Sequence, residues 1–332
     1  MKAILYDAHK NAWAMKNVKR PISKLGEVLI KVTHAGLCGS DMHRINAPTS
    51  LQGQVILGHE ISGAVEGSEE KKILNKNVVV NPIIVCGECA PCKNLRTQFC
   101  ENAQGIGKTR NGGFASHISV PLSNVYELPE GMNPQNGVLA DGVAVIINAI
   151  SHLGKQIPAK ILVIGDGSVG ALSLAVLRAR YPESSLYLVG KNKKNIDVLR
   201  QKFGALEVSE NDQYDVVFET VGRAQSLTMN TAIEKTQIGG TILVLGVYPE
   251  NYLIDFNARS AFYKELSIIG VNSFVSSAQR DDFAEALNLI CQNEYFFNEL
   301  ITHTLPLKEF SYGLDLMRTK TESGAIKIVF QP

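Results

Sequence analysis

Six cysteines occur in 332 residues, and four of them, Cys86, Cys89, Cys92 and Cys100, share the run CGECAPCKNLRTQFC. The spacing C-x2-C-x2-C-x7-C puts four thiolates on one short looped segment, which suits a tetrahedral zinc with no open position. A metal held in this way staples a loop and has no vacancy for chemistry. Two other chemistries use cysteines at related spacings. The bacterial iron–sulfur run also opens C-x2-C-x2-C, but it closes with a Cys-Pro pair after a shorter gap, whereas here Glu101 follows Cys100. Disulfides are the other use, yet a chain of this length with two cysteines outside the cluster is not composed like a stapled secreted scaffold. Structural zinc is the reading that the spacing favours.

A second set of ligand-type residues lies upstream, in Gly36-Leu37-Cys38-Gly39-Ser40-Asp41-Met42-His43 and in Gly58-His59-Glu60. A thiol, an imidazole and several carboxylates suit a mixed-ligand catalytic zinc that leaves one position open. Taken singly, Cys38 also fits a small buried apolar residue and His59 a satisfied core histidine.

These groups need elements to hold them. Residues 161–165 (ILVIG) form a short β-branched run ending in glycine, as a buried parallel strand does. Gly165-Asp166-Gly167-Ser168-Val169-Gly170 follows, matching G-x-G-x-x-G, and an apolar helical pattern continues through Ala171, Leu174, Ala175 and Leu177 to Arg180. Strand before and helix after is the context that gives this glycine pattern meaning. It permits a tight turn, close approach of a pyrophosphate, and a helix N-terminus whose free N–H groups meet the phosphates. Further strands are expected at 186–189, 216–218, 241–245 and 267–271, with helices at 195–205 (Gly204 at its end) and 224–234. Alternation of this kind predicts an α/β doubly wound parallel sheet.

Cofactor preference is written at the end of the second strand, Val189-Gly190-Lys191-Asn192-Lys193-Lys194. An NAD site places an acidic residue there for the ribose 2′-hydroxyl; three lysines occupy the stretch instead, which favours a 2′-phosphate and hence NADP over NAD. The bland use of the same lysines is an ordinary surface helix start.

Composition sets the remaining bounds. Hydrophobic residues make up 45% and charged residues 20%, and the net charge of +1 argues against a broadly basic nucleic-acid binder. The opening MKAILYDAHKNAW lacks the apolar centre of a signal peptide, and no apolar run approaches membrane-spanning length. A cytoplasmic protein with reduced, metal-available thiols is expected. The charged segment 67–77 (GSEEKKILNKN) reads as a solvated turn.

Taken in order, GLCGSD, GHE, CGECAPC with Cys100, NGGFASH, IGDGSVG, FETVG and GGTILVLG resemble the zinc-dependent medium-chain dehydrogenase/reductase family, over nearly the whole chain. The resemblance implies a GroES-like β-rich catalytic domain over residues 1–145, a Rossmann domain over 146–275, and a return to the catalytic domain over 276–332. It implies two zinc ions per chain, a small alcohol or ketone substrate, and a homodimer or homotetramer, with no nucleic-acid or membrane partner. Cys38 and His59 match catalytic zinc ligands; Glu60 matches a carboxylate that is a direct ligand in some branches and lies behind the metal in others. Asp141, in Val138-Leu139-Ala140-Asp141-Gly142-Val143, stands where the family has a Glu-Pro-Leu or cysteine-bearing segment, one methylene shorter than glutamate. Ser40 matches the hydroxyl that hydrogen-bonds the substrate oxygen, Asp41 would orient His59, and His43 matches the outer end of a proton relay. Thr220 and Val221 of FETVG and Gly246 of GGTILVLG join Gly165, Gly167, Ser168, Val169, Gly170, Gly190, Lys191 and Asn192 as expected cofactor contacts. Arg110, beside Asn111, reads as a surface arginine rather than a substrate ligand. The implied reaction is reversible oxidation of a secondary or primary alcohol. A non-catalytic NADP-binding sensor on the same fold, an iron–sulfur carrier and a zinc-independent quinone reductase are the competing readings.

Overall fold

A five-stranded parallel sheet organises the second half of the chain in the computed structural model, which describes residues 1–46, 53–222, 225–248 and 253–332. Lys160–Ile164 (KILVI), buried after its first residue, is flanked by Ser185–Val189 on one side and Tyr214–Glu219 on the other. Thr236–Val244 and Ser267–Gly270 extend the sheet beyond Tyr214–Glu219. Numbered by chain position, the strand order is second, first, third, fourth, fifth. Progression therefore reverses at Lys160–Ile164, and the carboxyl ends of this strand and of Tyr214–Glu219 flank the crevice where such sheets bind ligands.

Alternation along the central strand explains the layers. Ile161 and Val163 join a core with residues of helices Ala140–Ser151 and Ser168–Arg180, while Leu162 and Ile164 join another with Met229, Ala232 and Ile233 of helix Gln225–Lys235. Both faces are thus covered, as an all-parallel sheet requires. The helix expected at 195–205 runs over Lys193–Phe203 and ends at Gly204, whose φ of 60° is left-handed. Ala224, expected to open the next helix, lies outside the described residues. The fourth strand begins five residues before the apolar run that announces it: Thr236 pairs with Tyr214, and a register shift follows through Gly239 and Gly240. Residues 237–239 are exposed, and the pair Gly239-Gly240 interrupts the apolar pattern, so the sequence does not mark them as strand.

Antiparallel sheets build the first half. A three-stranded sheet runs in the order Ala12–Asn17, Lys2–Asp7, Gln54–Ile56. A larger one contains Val125–Glu127, Asn77–Val80, Glu60–Gly67, Glu27–Leu37, Lys327–Gln331 and Ile301–Pro306, with His117–Pro121 paired to Glu27–Leu37. The last strand, Lys327–Gln331, enters this sheet antiparallel to Glu27–Leu37 and parallel to Ile301–Pro306. Helix Ala140–Ser151 runs unbroken past residue 145, where the sequence places a domain boundary. No helix among the described residues is long and apolar enough to cross a membrane.

Three buried rings close the core of the first half. Phe114 meets Phe310 and Phe330 at centroid distances of 5.1 and 5.6 Å, and Phe310 meets Phe330 at 5.1 Å. Gly58, the residue before His59, adopts φ +90°, and a Cβ there would lie 2.7 Å from the Phe114 ring. Gly58→Ala combines left-handed strain with overpacking, and should cost about 2–4 kcal/mol. Urea unfolding checks this; an unchanged midpoint and slope would mean that the Gly58 backbone is free to relax.

Candidate active site

Cys38 follows the last residue of strand Glu27–Leu37 and precedes helix Gly39–Asn46. Its backbone N–H donates to Asp41 Oδ2 at 3.1 Å, a carboxylate reaching back to the residue before the helix as in a capping box. The other oxygen, Oδ1, lies 3.3 Å from His59 Nδ1 and 3.3 Å from the Arg44 guanidinium. Asp41 is fully buried. Burial opposes its ionisation, but the His59 ring, Arg44 and the Cys38 N–H outweigh that cost and hold the carboxyl below its usual range. The same contacts act on His59: burial disfavours its charged form, and Asp41 with Cys38 more than compensates, raising the imidazole well above its ordinary value. In the neutral ring, an Nδ1–H donated to Asp41 leaves the Nε2 lone pair for a metal. Asp41 and His59, which the sequence reading pairs, are thus brought side by side.

Ligand atoms of Cys38, His59 and Glu60 all lie within 4.8 Å of one another. Glu60 begins strand Glu60–Gly67 and is buried, where its carboxylate pairs with the fully enclosed ammonium of Lys327. Lys327 reaches this point because Ile328 is registered opposite Leu37, setting its neighbour level with Cys38. Burial works against the Lys327 charge, yet Glu60, Cys38 and Asp141 together raise its affinity for the proton. Asp141, in the first turn of helix Ala140–Ser151, places Oδ2 3.8 Å from His59 Nε2. Burial pushes its carboxyl up to about 6. Thiol, imidazole and carboxylate donors gathered so closely fit a zinc ion of mixed ligation. Ser40 and His43 are both half-buried on the same helix, three residues apart and so neighbours on its surface.

Cys86, Cys89, Cys92 and Cys100 form a second group within 4.8 Å, and all are free thiols. Cys86 and Cys100 sulfurs are 3.5 Å apart, Cys89 and Cys100 3.9 Å. Zinc–sulfur bonds of about 2.3 Å in a tetrahedron require sulfurs about 3.8 Å apart, so the cluster fits one ion. Backbone N–H groups, from Glu88 and Cys89, lower the Cys86 thiol to about 6, whereas burial and the neighbouring sulfurs push Cys92 up to about 12. Sulfurs held this close can all become thiolates only around a cation.

At the sheet crevice, Gly165 has φ +121°, and a side chain on Gly170 would collide with the Gly165 carbonyl. Thr220 Oγ1 donates to the Ile164 carbonyl at 2.8 Å, and Gly246 packs against the Val221 carbonyl. Ser168 and Val169 begin helix Ser168–Arg180. Asp166, inside the glycine turn, accepts N–H groups of Lys191 at 2.9 Å and Asn192 at 3.2 Å, and its side chain lies against Gly190. Asn192 caps helix Lys193–Phe203 through Oδ1 and donates through Nδ2 to the Lys320 carbonyl at 2.6 Å. Lys191, Lys193 and Lys194 are exposed.

Sequence reasoning missed Lys327 and Arg44. Arg44 had no spacing to mark it, but Lys327 did leave a signal: one lysine in the apolar run AIKIVF, where an unpaired charge would not be buried. Arg110 pairs with Glu27 at 2.5 Å, and Ser119 Oγ donates to the same carboxylate at 2.7 Å.

A β-rich domain that gathers thiol, imidazole and carboxylate donors, joined to a parallel sheet with a glycine turn at its switch point, has a dehydrogenase-type architecture. A family model described as the alcohol dehydrogenase GroES-like domain matches residues 24–130, and one described as the glucose dehydrogenase C-terminus matches residues 137–331. The chain belongs to the zinc-dependent medium-chain dehydrogenase/reductase family. It is 28% identical over 342 residues to L-threonine 3-dehydrogenase of Bacillus subtilis (strain 168), covering 96% of each chain. Its fold is similar to that of an alcohol dehydrogenase from E. coli CFT073 complexed with NADH (TM-score 0.88, 20% identity, 100% and 99% of the two chains covered). It is also similar to the fold of a zinc-binding dehydrogenase from Sinorhizobium meliloti 1021 bound to NADP (TM-score 0.87, 23% identity, 100% and 99% covered).

The Glu27 cluster generates a pH prediction. Burial opposes the Glu27 charge, but Ser119 and Arg110 outweigh it and hold the carboxyl below its ordinary value. A lowered folded value contributes stability above the unfolded value and loses it as pH falls through the folded one. Glu27→Gln should therefore cost about 1 kcal/mol at pH 7, with the difference from the parent shrinking as pH falls through the lowered carboxyl range. Urea midpoints across that range test it, and a pH-independent difference would contradict it.

Proposed function

We propose that the protein is a zinc-dependent alcohol or polyol dehydrogenase that moves a hydride between a secondary or primary alcohol and a nicotinamide cofactor, NADP in preference to NAD. The observation that carries this is the convergence of Cys38, His59 and Glu60 donor atoms within 4.8 Å in a chain whose parallel sheet also presents a glycine turn at its switch point. In this reading residues 1–145 and 276–332 make the catalytic domain and 146–275 the cofactor domain. One zinc belongs to Cys38, His59 and Glu60, with Asp141 edging the pocket, and a second belongs to the four-cysteine loop.

Bound at the first site, zinc would supply Lewis acidity that brings the substrate hydroxyl towards ionisation near neutral pH, and the nicotinamide would accept the hydride. The chain does the rest. Asp41 fixes the tautomer and tilt of His59. Lys327 pairs with the Glu60 carboxylate inside the pocket, so the two buried groups answer each other without a partner from solvent. Ser40 takes a hydrogen bond from the substrate hydroxyl, and His43, on the same helix surface, receives the departing proton because imidazole titrates near neutrality. Lysines 191, 193 and 194 favour a 2′-phosphate, and the Asp166 carboxylate beside them is engaged by two backbone N–H groups. The gathered donors of Cys38, His59 and Glu60, with Asp41 behind His59, favour an enzyme over a sensor, which needs no such donor set.

The test pairs elemental analysis with turnover. The parent should hold two zinc atoms per chain, and Cys38→Ser should hold one, retain NADPH binding and lose turnover by at least about a thousandfold. Changes at Cys86 or Cys100 should instead lower the melting temperature. A Cys38→Ser protein with unimpaired turnover sinks the proposal.

A homo-oligomer belongs to the same reading. Among the described residues Ser267–Gly270 is paired on one side only, and Ile238, Phe262 and Tyr263, drawn together by the Gly239–Lys264 backbone hydrogen bond, are 77%, 76% and 64% exposed. Such a strand is a template for pairing with a second copy. Sedimentation at twice or four times the 36.2 kDa chain mass is expected; a monomer at micromolar concentration would refute it.

A further inference from the structure

We propose that Thr97, inside the four-cysteine loop, is a positioning residue for the cofactor crevice, and that it links the metal state of that loop to dinucleotide affinity. The inference rests on the two-zinc and dinucleotide readings above, and it gives the second metal a role beyond stapling its own loop. Thr97 lies between Cys92 and Cys100 and is buried. The Cys100 N–H donates to its carbonyl at 3.0 Å, and the Ser276 N–H donates to its Oγ1 at 2.9 Å. One residue thus joins a cysteine of the cluster to a segment that lies 179 positions further along the chain.

That segment leaves the carboxyl end of strand Ser267–Gly270, on the crevice side of the parallel sheet. Val271, its first residue, donates its N–H to the Val244 carbonyl at 2.9 Å, two residues before Gly246. Val271, Phe274 and Val275 are buried, while Asn272 is exposed. Beyond Asn272 the backbone is fixed at successive points. Asn148 Nδ2, from helix Ala140–Ser151, donates to the Ser273 carbonyl at 2.7 Å. The Val275 N–H donates to Asp282 Oδ2 at 2.7 Å, and Asp282 is fully buried at the start of helix Asp282–Gln292. Tyr126 serves the next residue: its hydroxyl donates to Asp281 Oδ2 at 2.7 Å and lies 2.9 Å from Ser276 Oγ.

These ties differ in what sustains them. Asn148 and Asp282 belong to helices of eleven residues or more, whereas Thr97 opens the three-residue turn Thr97–Phe99. A metal shared by Cys92 and Cys100 fixes both ends of the stretch that contains this turn. Without it the thiols have no common partner, the turn loosens, and the Ser276 N–H loses its acceptor at a part-buried site, which is costly. A segment already held at the crevice edge costs a dinucleotide less to bind than a loose one. Linkage makes the effect reciprocal: a cofactor that favours the held segment also favours the metal-loaded loop.

The Cys38→Ser protein isolates the loop, because the zinc it is expected to hold is the one bound by the four cysteines. Release of that zinc to a chromophoric chelator should slow about fivefold when NADPH is saturating. Adding Thr97→Val, which keeps the side-chain shape and removes the acceptor, should abolish the slowing while the loop zinc is still bound at the start. Adding Thr97→Ser, which keeps the hydroxyl, should preserve it. With Cys38 intact, Thr97→Val should raise the dissociation constants for NADPH and NADH together, about fivefold. A lower melting temperature in Thr97→Val, with NADPH still slowing zinc release, would make Thr97 purely structural and overturn the inference. Zinc release that NADPH leaves unchanged in the Cys38→Ser protein would also overturn it. Both results leave the dehydrogenase reading in place. A Cys38→Ser protein that holds no zinc or binds no NADPH would remove that reading and the inference together.

Discussion

Charge balance in a buried pocket is the constraint on which the rest of the active-site structure depends. Cys38, Asp41, Glu60 and Asp141 bring four acidic groups into one water-poor region, where an uncompensated carboxylate is costly. Arg44 answers Asp41, His59 lies between Asp41 and Asp141, and Lys327 answers Glu60. Each answering group comes from a different part of the chain, so folding and charge compensation are one event. At Asp141 burial raises the carboxyl, and the His59 and Lys327 charges pull the other way without offsetting it.

Where the chain advertises its own structure, it does so through local rules. The strand–glycine–helix passage from Lys160 to Arg180 is legible because apolar run, turn and helix are contiguous and each has its own period. The four-cysteine loop is legible for the same reason: its donors are close in sequence and so necessarily close in space. Gly204 could be placed as a helix end because left-handed backbone favours glycine.

What stayed hidden is non-local. Nothing near Lys327 in sequence states that Ile328 will be registered against Leu37, and without that register the lysine is one charge in an apolar strand. The early start of Thr236–Val244 was unreadable because residues 237–239, after the buried Thr236, are exposed and break the apolar pattern. Asp166 and Asn192 illustrate a third case. Both lie in stretches singled out for cofactor contact, yet their side chains are occupied in fixing backbone, Asp166 at Lys191 and Asn192 at the helix start and Lys320. Position in a motif identified the neighbourhood; only the hydrogen bonds assign the work.

The placement of Lys327–Gln331 also bears on how the molecule is made. This strand lies between Glu27–Leu37 and Ile301–Pro306, yet it leaves the ribosome some three hundred residues after its antiparallel partner. The parallel sheet of the second half can assemble from neighbours in sequence while synthesis continues, whereas the sheet of the first half must wait with a gap beside Glu27–Leu37. Pairings of such long range form slowly. The nascent catalytic half thus presents an unfilled strand position for most of its synthesis, the state in which chaperone protection matters most.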